Sequence, residues 1–527
     1  MNSLTLLART GLALLVGATF LVTTTSSQDN SLGGAFRVLM QDTGLEGIDL
    51  GLRAQDMPMR EPGGQGTRGL ALMQRAEGAV QERLYKSGSV IVKFRSDAGT
   101  NGVSSAMREV AASKISRPSY ADFDIMEIPA DADPEAVSAE LRARPDVEYA
   151  QPRYQNYPMF RPNDQFYDRQ WNFPAIDMER AWDIQPQAGD EITVAVVDSG
   201  VAFQTSTIRY NSRFRFQLVK DGPIFPALGV VDVPFAVAPE LGAGKFVAPR
   251  DFIWDDAMPV DLDGHGTHVS GTVGQLTNNT VGVAGMAFGV RIMPVKVIAG
   301  EWDFIFGAPN GGTDDVVARG VRYAADNGAK VINMSIGRTS GGASLVVDDA
   351  IRYAISRGVF VAVAAGNSAD QGNAPSRTAE SAPSIPGMVA VGAVGRSLER
   401  AYYSTTNGYV EIAAPGGDQR RDGGPGGILQ QTINLDLLHT YQRGPQSFRA
   451  PSADQFAYYF FQGTSMATPH VAAFAAMLMQ QGITKPAAIE AAMKQFARDL
   501  GPAGNDSEYG HGLIQPRTTL RGLGLAR

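Results

Sequence analysis

Three short segments of the chain carry side chains that could catalyse a reaction together. Asp198 directly follows an apolar run at residues 192–197, His265 is flanked by glycines, and Ser465 precedes a strongly apolar segment. A serine hydroxyl is a weak nucleophile at neutral pH and needs a base within hydrogen-bond reach. Histidine can be that base if a buried carboxylate fixes its tautomer. The three side chains therefore predict acyl transfer through a covalent intermediate on Ser465.

A fourth side chain, Asn367, follows another apolar run at residues 359–365. Its amide could donate to the oxyanion that develops when Ser465 attacks a carbonyl, together with amides at the start of the following helix. Pro469 lies early in that helix, where we expect a missing amide to cost little. A lone asparagine after a strand is usually a turn former, and only the company of the other three residues favours a catalytic role.

Buried strands are needed to position these side chains. Near-continuous apolar runs predict strands covered on both faces, at residues 192–197, 331–337, 359–365 and 388–394. Helical patterns lie between them, for example at residues 315–327 and 347–356. This alternation predicts an α/β fold with an open, mostly parallel sheet flanked by helices. Ligands of such sheets gather at the carboxyl ends of the strands, where Asp198 and Asn367 both lie.

A smaller unit precedes this sheet. Residues 90–94, 124–129 and 147–150 have strand-like composition, and Asp133 followed by Pro134 predicts the start of a helix. These elements predict a small α+β unit that is distinct from the larger one.

The N-terminal residues predict export. Residues 1–27 combine one early positive charge, an apolar run and a small polar exit, which is typical of a cleaved secretory signal. A membrane anchor is the alternative, but the run is shorter than the roughly 20 residues that a spanning helix needs. Residues 28–84 are glycine-rich and weakly periodic, which predicts a poorly ordered spacer. We therefore expect a secreted or periplasmic protein with no membrane association after signal cleavage.

Composition argues against several other function classes. The 527 residues are 44% hydrophobic and 19% charged, with a net charge of −8. The basic residues are scattered along the chain, so the sequence does not predict nucleic-acid binding, which needs a clustered basic face. There is no cysteine, which excludes disulfides, thiolate metal sites and cysteine nucleophiles. His265 and His268 have a spacing that zinc could use, but no third histidine or cysteine cluster supports it. For His268 and His470 we favour helix packing. Asp261 and Asp263 could position the His265 helix or be solvated.

The three segments, residues 364–367 and their order along the chain resemble the subtilase (subtilisin-like serine protease) family. The resemblance covers about residues 160–516. It implies a subtilisin-like fold and a monomeric serine endopeptidase that acts on polypeptides and needs no cofactor for its chemistry. The catalytic residues that it implies are Asp198, His265, Ser465 and Asn367.

The resemblance also implies binding residues. Ser335, Ile336 and Gly337 match the strand that lines the substrate in this family, which pairs with the peptide backbone as an added strand. Residues 276–283 resemble a calcium-binding loop, whose oxygen ligands suit a hard cation. The third acid that is usual soon after the catalytic aspartate is not evident. The residues implied for structural calcium are Asp164, Leu276, Asn279, Val281 and Val283.

The α+β unit resembles the family's propeptide, an intramolecular folding aid and inhibitor, and maturation is expected near residues 159–160. The predicted organisation is a signal peptide at 1–27, a spacer at 28–84, a propeptide at 85–159 and a catalytic domain at 160–527.

Insertions near residues 203–249, 301–312 and 417–460 depart from the family pattern. If they rim the cleft, they would narrow substrate choice. His439 lies in the third insertion, and we expect it to be solvated. Two alternatives to a general endopeptidase remain: a processing protease of narrow specificity, and a non-catalytic binding protein with the subtilase fold. The presence of every triad residue disfavours the second.

Overall fold

A computed structural model describes residues 85–154, 160–218 and 222–523. The predicted signal peptide and spacer lie outside these residues, as does part of the segment in which maturation is expected. The chain divides into two compact units, whose described parts are residues 85–154 and residues 160–523.

The smaller unit is a four-stranded antiparallel sheet of order β2-β3-β1-β4 with two helices. Its elements are β1 (Tyr85–Phe94), α1 (Gly99–Glu109), β2 (Lys114–Ser116), β3 (Asp124–Glu127), α2 (Pro134–Arg142) and β4 (Val147–Tyr154). Helix α2 begins as predicted, with the Asp133 side chain accepting the N–H of Glu135. Helix α1 was not predicted because its first turn holds two glycines and an asparagine, which are weak helix formers.

The larger unit is built on seven parallel strands in the order β10-β11-β5-β12-β13-β14-β15. The strands of this unit are β5 (Thr193–Asp198), β6 (Ser206–Ser212), β7 (Phe216–Gln217), β8 (Ile224–Phe225), β9 (Gly229–Phe235), β10 (Arg250–Asp251), β11 (Arg291–Lys296), β12 (Val331–Met334), β13 (Phe360–Ala364), β14 (Met388–Val394), β15 (Ile412–Pro415), β16 (Ile428–Ile433) and β17 (Phe456–Phe461). The four predicted apolar runs form β5, β12, β13 and β14, so the predicted α/β fold with a mostly parallel sheet is confirmed.

Helices cover both faces of this sheet. They are α3 (Asn172–Ala175), α4 (Met178–Ile184), α5 (His265–Gly274), α6 (Glu301–Phe306), α7 (Asp314–Asp326), α8 (Leu345–Ser356), α9 (Gln419–Asp422), α10 (Leu435–Leu438), α11 (Thr464–Gln480), α12 (Pro486–Gln495) and α13 (Pro516–Gly522). Successive residues of β5 enter different cores: Val196 joins the cluster that holds α11, and Val197 joins the one that holds α7. Both faces are thus buried, as the apolar runs predicted.

Strand β5 lies inside the sheet between β11 and β12, and the chain order reverses there. Sites in open α/β sheets form at such a reversal, outside the carboxyl ends of the strands. Asp198 is the last residue of β5 and therefore lies at the expected place.

The three predicted insertions contribute their own elements. The first forms an antiparallel ribbon in which β6 pairs with β9 and β7 with β8. The second contains α6, and the third contains α9, α10 and most of the antiparallel pair β16–β17. Across the described ranges, no helix combines the length and apolar character that crossing a bilayer requires.

Candidate active site

Asp198 and His265 form a buried pair. His265 is the first residue of α5, and its Nδ1 lies 2.7 Å from Asp198 Oδ1, with side chains only 4% and 0% exposed. Because an ionised carboxylate can only accept hydrogen bonds, Nδ1 carries the proton and Nε2 carries the lone pair. Asp198 Oδ1 also accepts the N–H of Ser199 at 2.7 Å, which fixes the carboxylate. The pair has the tautomer that a general base requires.

Glycines allow α5 to begin this close to β5. Gly264 caps the helix with φ +94°, a conformation that favours glycine. A Cβ at Gly266 would lie 2.1 Å from the Gly200 carbonyl oxygen and 3.2 Å from Asp198 Oδ1. Any side chain at position 266 would therefore push the helix away from Asp198.

Asp261 organises the loop before His265. Its Oδ1 accepts the amide of Gly264 at 2.8 Å and the hydroxyl of Ser199 at 3.1 Å, and its Oδ2 accepts the hydroxyl of Thr267 at 2.6 Å. Asp261 and Asp263 are both buried, so the solvated alternative is wrong. Asp261 ties the end of β5 to the first turn of α5.

Burial and charge act in opposite directions on His265. Burial lowers its pKa, but the charge and hydrogen bond of Asp198, followed by the charges of Asp263 and Asp261, raise the pKa above the ordinary value of 6.5. Burial, and then the charge of Asp261, raise the pKa of Asp263 well above its usual range. The environment thus stabilises the imidazolium that forms when His265 accepts a proton.

Ser465 is the second residue of α11 and is nearly buried. Its backbone N–H is among the first four of the helix, which have no acceptor within the helix. Helix α11 packs against α5, so the helices that bear Ser465 and His265 are neighbours. The Ser465 hydroxyl donates to the Ser335 carbonyl oxygen at 3.0 Å.

Pro469 lies deeper in α11 than the sequence pattern indicated. It is the sixth residue of the helix, past the first turn, so the Ser465 carbonyl four residues earlier loses its helical donor. The Ser335 hydroxyl donates to that carbonyl at 2.7 Å, and the Asn333 amide donates to the Ser335 hydroxyl at 2.9 Å. The end of β12 therefore replaces the missing helical bond and links residue 335 to the predicted nucleophile.

Asn367 follows β13 and is held by the residue before Ser465. Its Oδ1 accepts the backbone N–H of Thr464 at 2.9 Å and the Thr464 hydroxyl at 2.8 Å. A backbone N–H can only donate, so this branch of the side chain is the oxygen. The two N–H groups of the other branch remain to donate, beside the start of α11. This arrangement suits an oxyanion donor.

Ser335, Ile336 and Gly337 follow β12 directly, and the two hydrogen bonds of Ser335 bring this segment beside Ser465. A Cβ at Gly337 would lie 2.6 Å from the Ser376 hydroxyl. The role of the three residues in substrate binding stays a prediction.

The residues predicted for calcium lie around one loop. Asp164 Oδ2 accepts the amide of Asn278 at 2.8 Å, and Asn279 Oδ1 accepts the amide of Val281 at 2.8 Å. Leu276 and Val283 contact a further residue instead: their amides donate to the carbonyl oxygen (2.7 Å) and the carboxylate (3.1 Å) of Glu240.

Sequence reasoning missed Glu240. It lies 42 residues after Asp198 (240 − 198), within the first insertion, and its buried carboxylate also accepts the Tyr458 hydroxyl at 2.8 Å. Burial raises the pKa of Glu240 to about 7. The available signal was an acid after Pro239 in an otherwise apolar segment. Two carboxylates beside one loop fit a hard cation, although no group of three or more His, Cys, Asp or Glu side chains in the described ranges could hold a metal.

The other buried histidines are packing residues. His268 stacks on Phe461 with ring centroids 4.2 Å apart, and burial lowers its pKa to about 3. Burial lowers the pKa of His470 to about 4, and its Nδ1 bonds to the Met466 carbonyl at 2.9 Å. The expectation that His439 is solvated is wrong: the residue is 2% exposed.

The three insertions pack on one another through aromatic rings, which we call the insertion cluster. Tyr210 of the first insertion stacks on Phe306 of the second at 4.3 Å, and Trp302 of the second stacks on Phe448 of the third at 5.5 Å. The cluster comprises Tyr210, Phe216, Phe225, Trp302, Phe306, Tyr441 and Phe448. Its members come from three separate segments, so the insertions form one packed body. Their predicted role in narrowing substrate choice stays a prediction.

Comparison with known proteins agrees with this geometry. The subtilase family model matches residues 189–512, and that of the fervidolysin N-terminal prodomain matches residues 72–153. The thermophilic serine proteinase of Bacillus sp. strain AK1 is 30% identical over 430 residues, which cover 81% of this chain and 86% of that protein. Thermitase of Thermoactinomyces vulgaris is 31% identical over 350 residues, which cover 66% of this chain and 94% of that protein.

Among solved structures, a protease of Pseudoalteromonas arctica superposes with a TM-score of 0.50 at 26% identity, covering 68% of this chain and 99% of that one. A parallel α/β sheet with a buried histidine–aspartate pair and a serine at a helix start is the arrangement of a serine peptidase. The chain belongs to the subtilase family, as a subtilisin-like serine peptidase with an N-terminal prodomain.

Proposed function

We propose that this protein is a secreted endopeptidase that hydrolyses peptide bonds through an acyl-enzyme on Ser465 and removes its own prodomain. The observation that carries the proposal is the buried His265–Asp198 pair, whose 2.7 Å hydrogen bond leaves the lone pair on Nε2. We infer that Nε2 accepts the proton of Ser465, because α11, which carries Ser465, packs against α5.

In the resting enzyme the Ser465 hydroxyl donates to the Ser335 carbonyl oxygen. A substrate that adds as a strand beside residues 335–337 brings N–H groups that compete for this carbonyl. The hydroxyl then turns to His265. Its proton passes to Nε2 as Oγ bonds to the substrate carbonyl carbon, and Asp198 stabilises the imidazolium.

The electron pair displaced from the substrate carbonyl collects on its oxygen. The backbone N–H of Ser465 and the amide of Asn367 donate to this oxyanion, and the positive end of the α11 dipole adds to their effect. His265 returns its proton to the leaving amine as the peptide bond breaks. Water then attacks the carbonyl carbon of the acyl group on Ser465, and His265 takes its proton. His265 gives this proton to Ser465 Oγ as the acyl group leaves, which restores the hydroxyl.

Export and self-processing rest on the sequence and the relatives. Residues 1–27 have the pattern of a secretory signal, and a relative that is 30% identical over 403 residues is named an extracellular protease of Xanthomonas campestris. The prodomain match at residues 72–153 supports an intramolecular inhibitor that is cut off near residue 159. N-terminal sequencing of the protein recovered from the medium and from the periplasm tests both points.

We also propose that structural calcium binds at the loop of residues 276–283. Asp164, Glu240 and Asn279 would hold it with backbone carbonyls, and its charge would offset two buried carboxylates. The thermal midpoint should rise with added calcium and fall with a chelator, and Asp164→Asn should lose this response. A thermal midpoint that does not change with added calcium or with a chelator would refute the proposed calcium site.

The decisive test is Ser465→Ala. The variant should lose labelling by a fluorophosphonate probe, casein hydrolysis and unaided prodomain removal, while wild-type enzyme added in trans should still process it. A variant that matures alone would refute the nucleophile. A peptide library then separates a general endopeptidase, cleaving many sequences, from a processing protease that cleaves few.

A further inference from the structure

The third insertion touches the chain immediately before His265. Thr432, on β16 and fully buried, donates its hydroxyl to the carbonyl oxygen of Gly264 at 2.5 Å. The same oxygen accepts the helical amide of His268 at 3.3 Å, so the bond from Thr432 is the shorter of the two. A Cβ at Gly264 would lie 3.0 Å from the Leu435 side chain. Residues of the insertion therefore enclose the peptide group that joins Gly264 to His265.

The orientation of this peptide group influences the direction in which the His265 side chain leaves the backbone. Its carbonyl is held by Thr432, and its N–H, which belongs to His265, donates to Asp263 Oδ1 at 3.2 Å. With both ends bonded, the plane cannot rotate without breaking one of these bonds. Rotation about the N–Cα bond of His265 would swing its Cβ, and Nδ1 would leave its position 2.7 Å from Asp198 Oδ1.

The first insertion holds the other end of the same helix. Lys245 Nζ donates to the carbonyl oxygen of Gly274, the last residue of α5, at 2.6 Å. Both ends of the histidine helix are thus bonded by residues from outside the parallel sheet.

We propose that Thr432 is a positioning residue for His265, acting through the Gly264 carbonyl. The third insertion then belongs to the apparatus that aligns the base, in addition to any effect on substrate choice. This inference rests on the proposed function, because it assumes that His265 takes the proton from Ser465.

The test is Thr432→Val, which removes the hydroxyl and keeps the shape of the side chain. Since a misplacement of about 1 Å can cost about 10²-fold in rate, we expect kcat to fall by about tenfold or more with KM nearly unchanged. The rate of fluorophosphonate labelling should fall in parallel, because it also needs the base. Thr432→Ser keeps the hydroxyl and should restore kcat.

Thr440→Val is the matched control. Thr440 lies in the same insertion, is fully buried, and donates its hydroxyl to the Arg449 carbonyl at 2.6 Å, so it loses an equivalent bond. Its thermal midpoint should fall about as much as that of Thr432→Val, and its kcat should stay at the wild-type value. All variants are produced from the full chain, and kcat is expressed per active site counted by burst titration, which removes the effect of unfolded protein.

Wild-type kcat in Thr432→Val, or an equal loss of kcat in Thr440→Val, would overturn the positioning role. Failure of Thr432→Ser to restore kcat would do the same. These outcomes are distinct from failure of the proposed function, which Ser465→Ala alone would reveal by retaining hydrolysis.

Discussion

Two regions of the catalytic unit meet at His265 and are held together in different ways. At the strand ends, Asp198 bonds to the N–H of Ser199 and to the His265 imidazole, and Ser335 and Asn367 bond to backbone groups of the serine helix. The insertion cluster is fixed by stacked aromatic rings from three separate segments. Hydrogen bonds fix angles, whereas ring packing excludes water and adds stability. We therefore expect the first region to govern turnover and the second to govern unfolding.

The largest effect expected is that of Asp198→Asn. An asparagine at this position can donate to Nδ1 and so favour the wrong tautomer, which should lower kcat by about 10⁴-fold. The thermal midpoint should change little, because the volume is kept.

The pH profile gives a second reading of the same variant. The pKa of His265 is raised in the native enzyme chiefly by Asp198 acting against burial, and only the neutral imidazole is active. Wild-type kcat/KM should therefore fall on the acid side with a midpoint above 6.5, and the residual activity of Asp198→Asn should fall at lower pH. If activity of the variant falls at the same pH as that of the wild type, the acid-side fall does not reflect protonation of His265.

Trp302→Ala should have the opposite effects to Asp198→Asn: a large loss of stability and little change in kcat. Trp302 is fully buried, stacks on Phe306 and Phe448, and donates to the Leu438 carbonyl at 2.6 Å. Its loss should lower the free energy of unfolding by about 3–5 kcal/mol, with kcat per active site changed by only a small factor. Phe304→Ala on the same helix is the control, since Phe304 is 40% exposed and should cost less than about 0.5 kcal/mol. Equal midpoints for the two variants would show that the cluster does not stabilise the protein.

Asn367→Ala tests the strand ends again and should lower kcat. Loss of one oxyanion donor costs about 10²–10³ in kcat, a magnitude taken from an asparagine of another subtilase, with little change in KM. Thr464 loses the acceptor for its amide and hydroxyl, so a small fall in the thermal midpoint should accompany the loss. A raised KM with kcat intact would instead make Asn367 a substrate-binding residue.

The same division explains what the sequence could predict. Strands β5, β12, β13 and β14 were predictable because both faces of each are apolar. Asp198 and Asn367 were predictable because Asp198 ends β5 and Asn367 lies shortly after β13. These are local patterns. The edge strand β10 has only two residues and is defined by its pairing with β11, so no local pattern marks it.

A related reason explains why the sequence did not predict the surroundings of Glu240, Thr432 and His439. Each lies in an insertion, and its environment is formed by segments that are distant in sequence: Val283 for Glu240, Gly264 for Thr432. We expected solvent around His439 because insertions are commonly exposed, but the insertions bury one another. Contacts between distant segments leave no periodic signal in either of them.

The smallest effect expected concerns Ser335 and Pro469, and it tests whether the strand ends also contribute stability. Ser335→Ala leaves the buried Ser465 carbonyl without its donor, which should cost about 1–3 kcal/mol. Pro469→Ala supplies a helical N–H to the same carbonyl. Ser335→Ala should therefore cost about 1 kcal/mol less in the Pro469→Ala background than in the wild type.

This double-mutant cycle is measured by thermal unfolding of fluorophosphonate-inactivated enzyme, which prevents autolysis. Equal costs of Ser335→Ala in both backgrounds would show that the hydroxyl does not replace the missing amide. Coupling of the expected size would mean that β12 completes the helix that bears Ser465. The region that governs turnover would then also stabilise the fold, at the one place where Pro469 interrupts the helical hydrogen bonds.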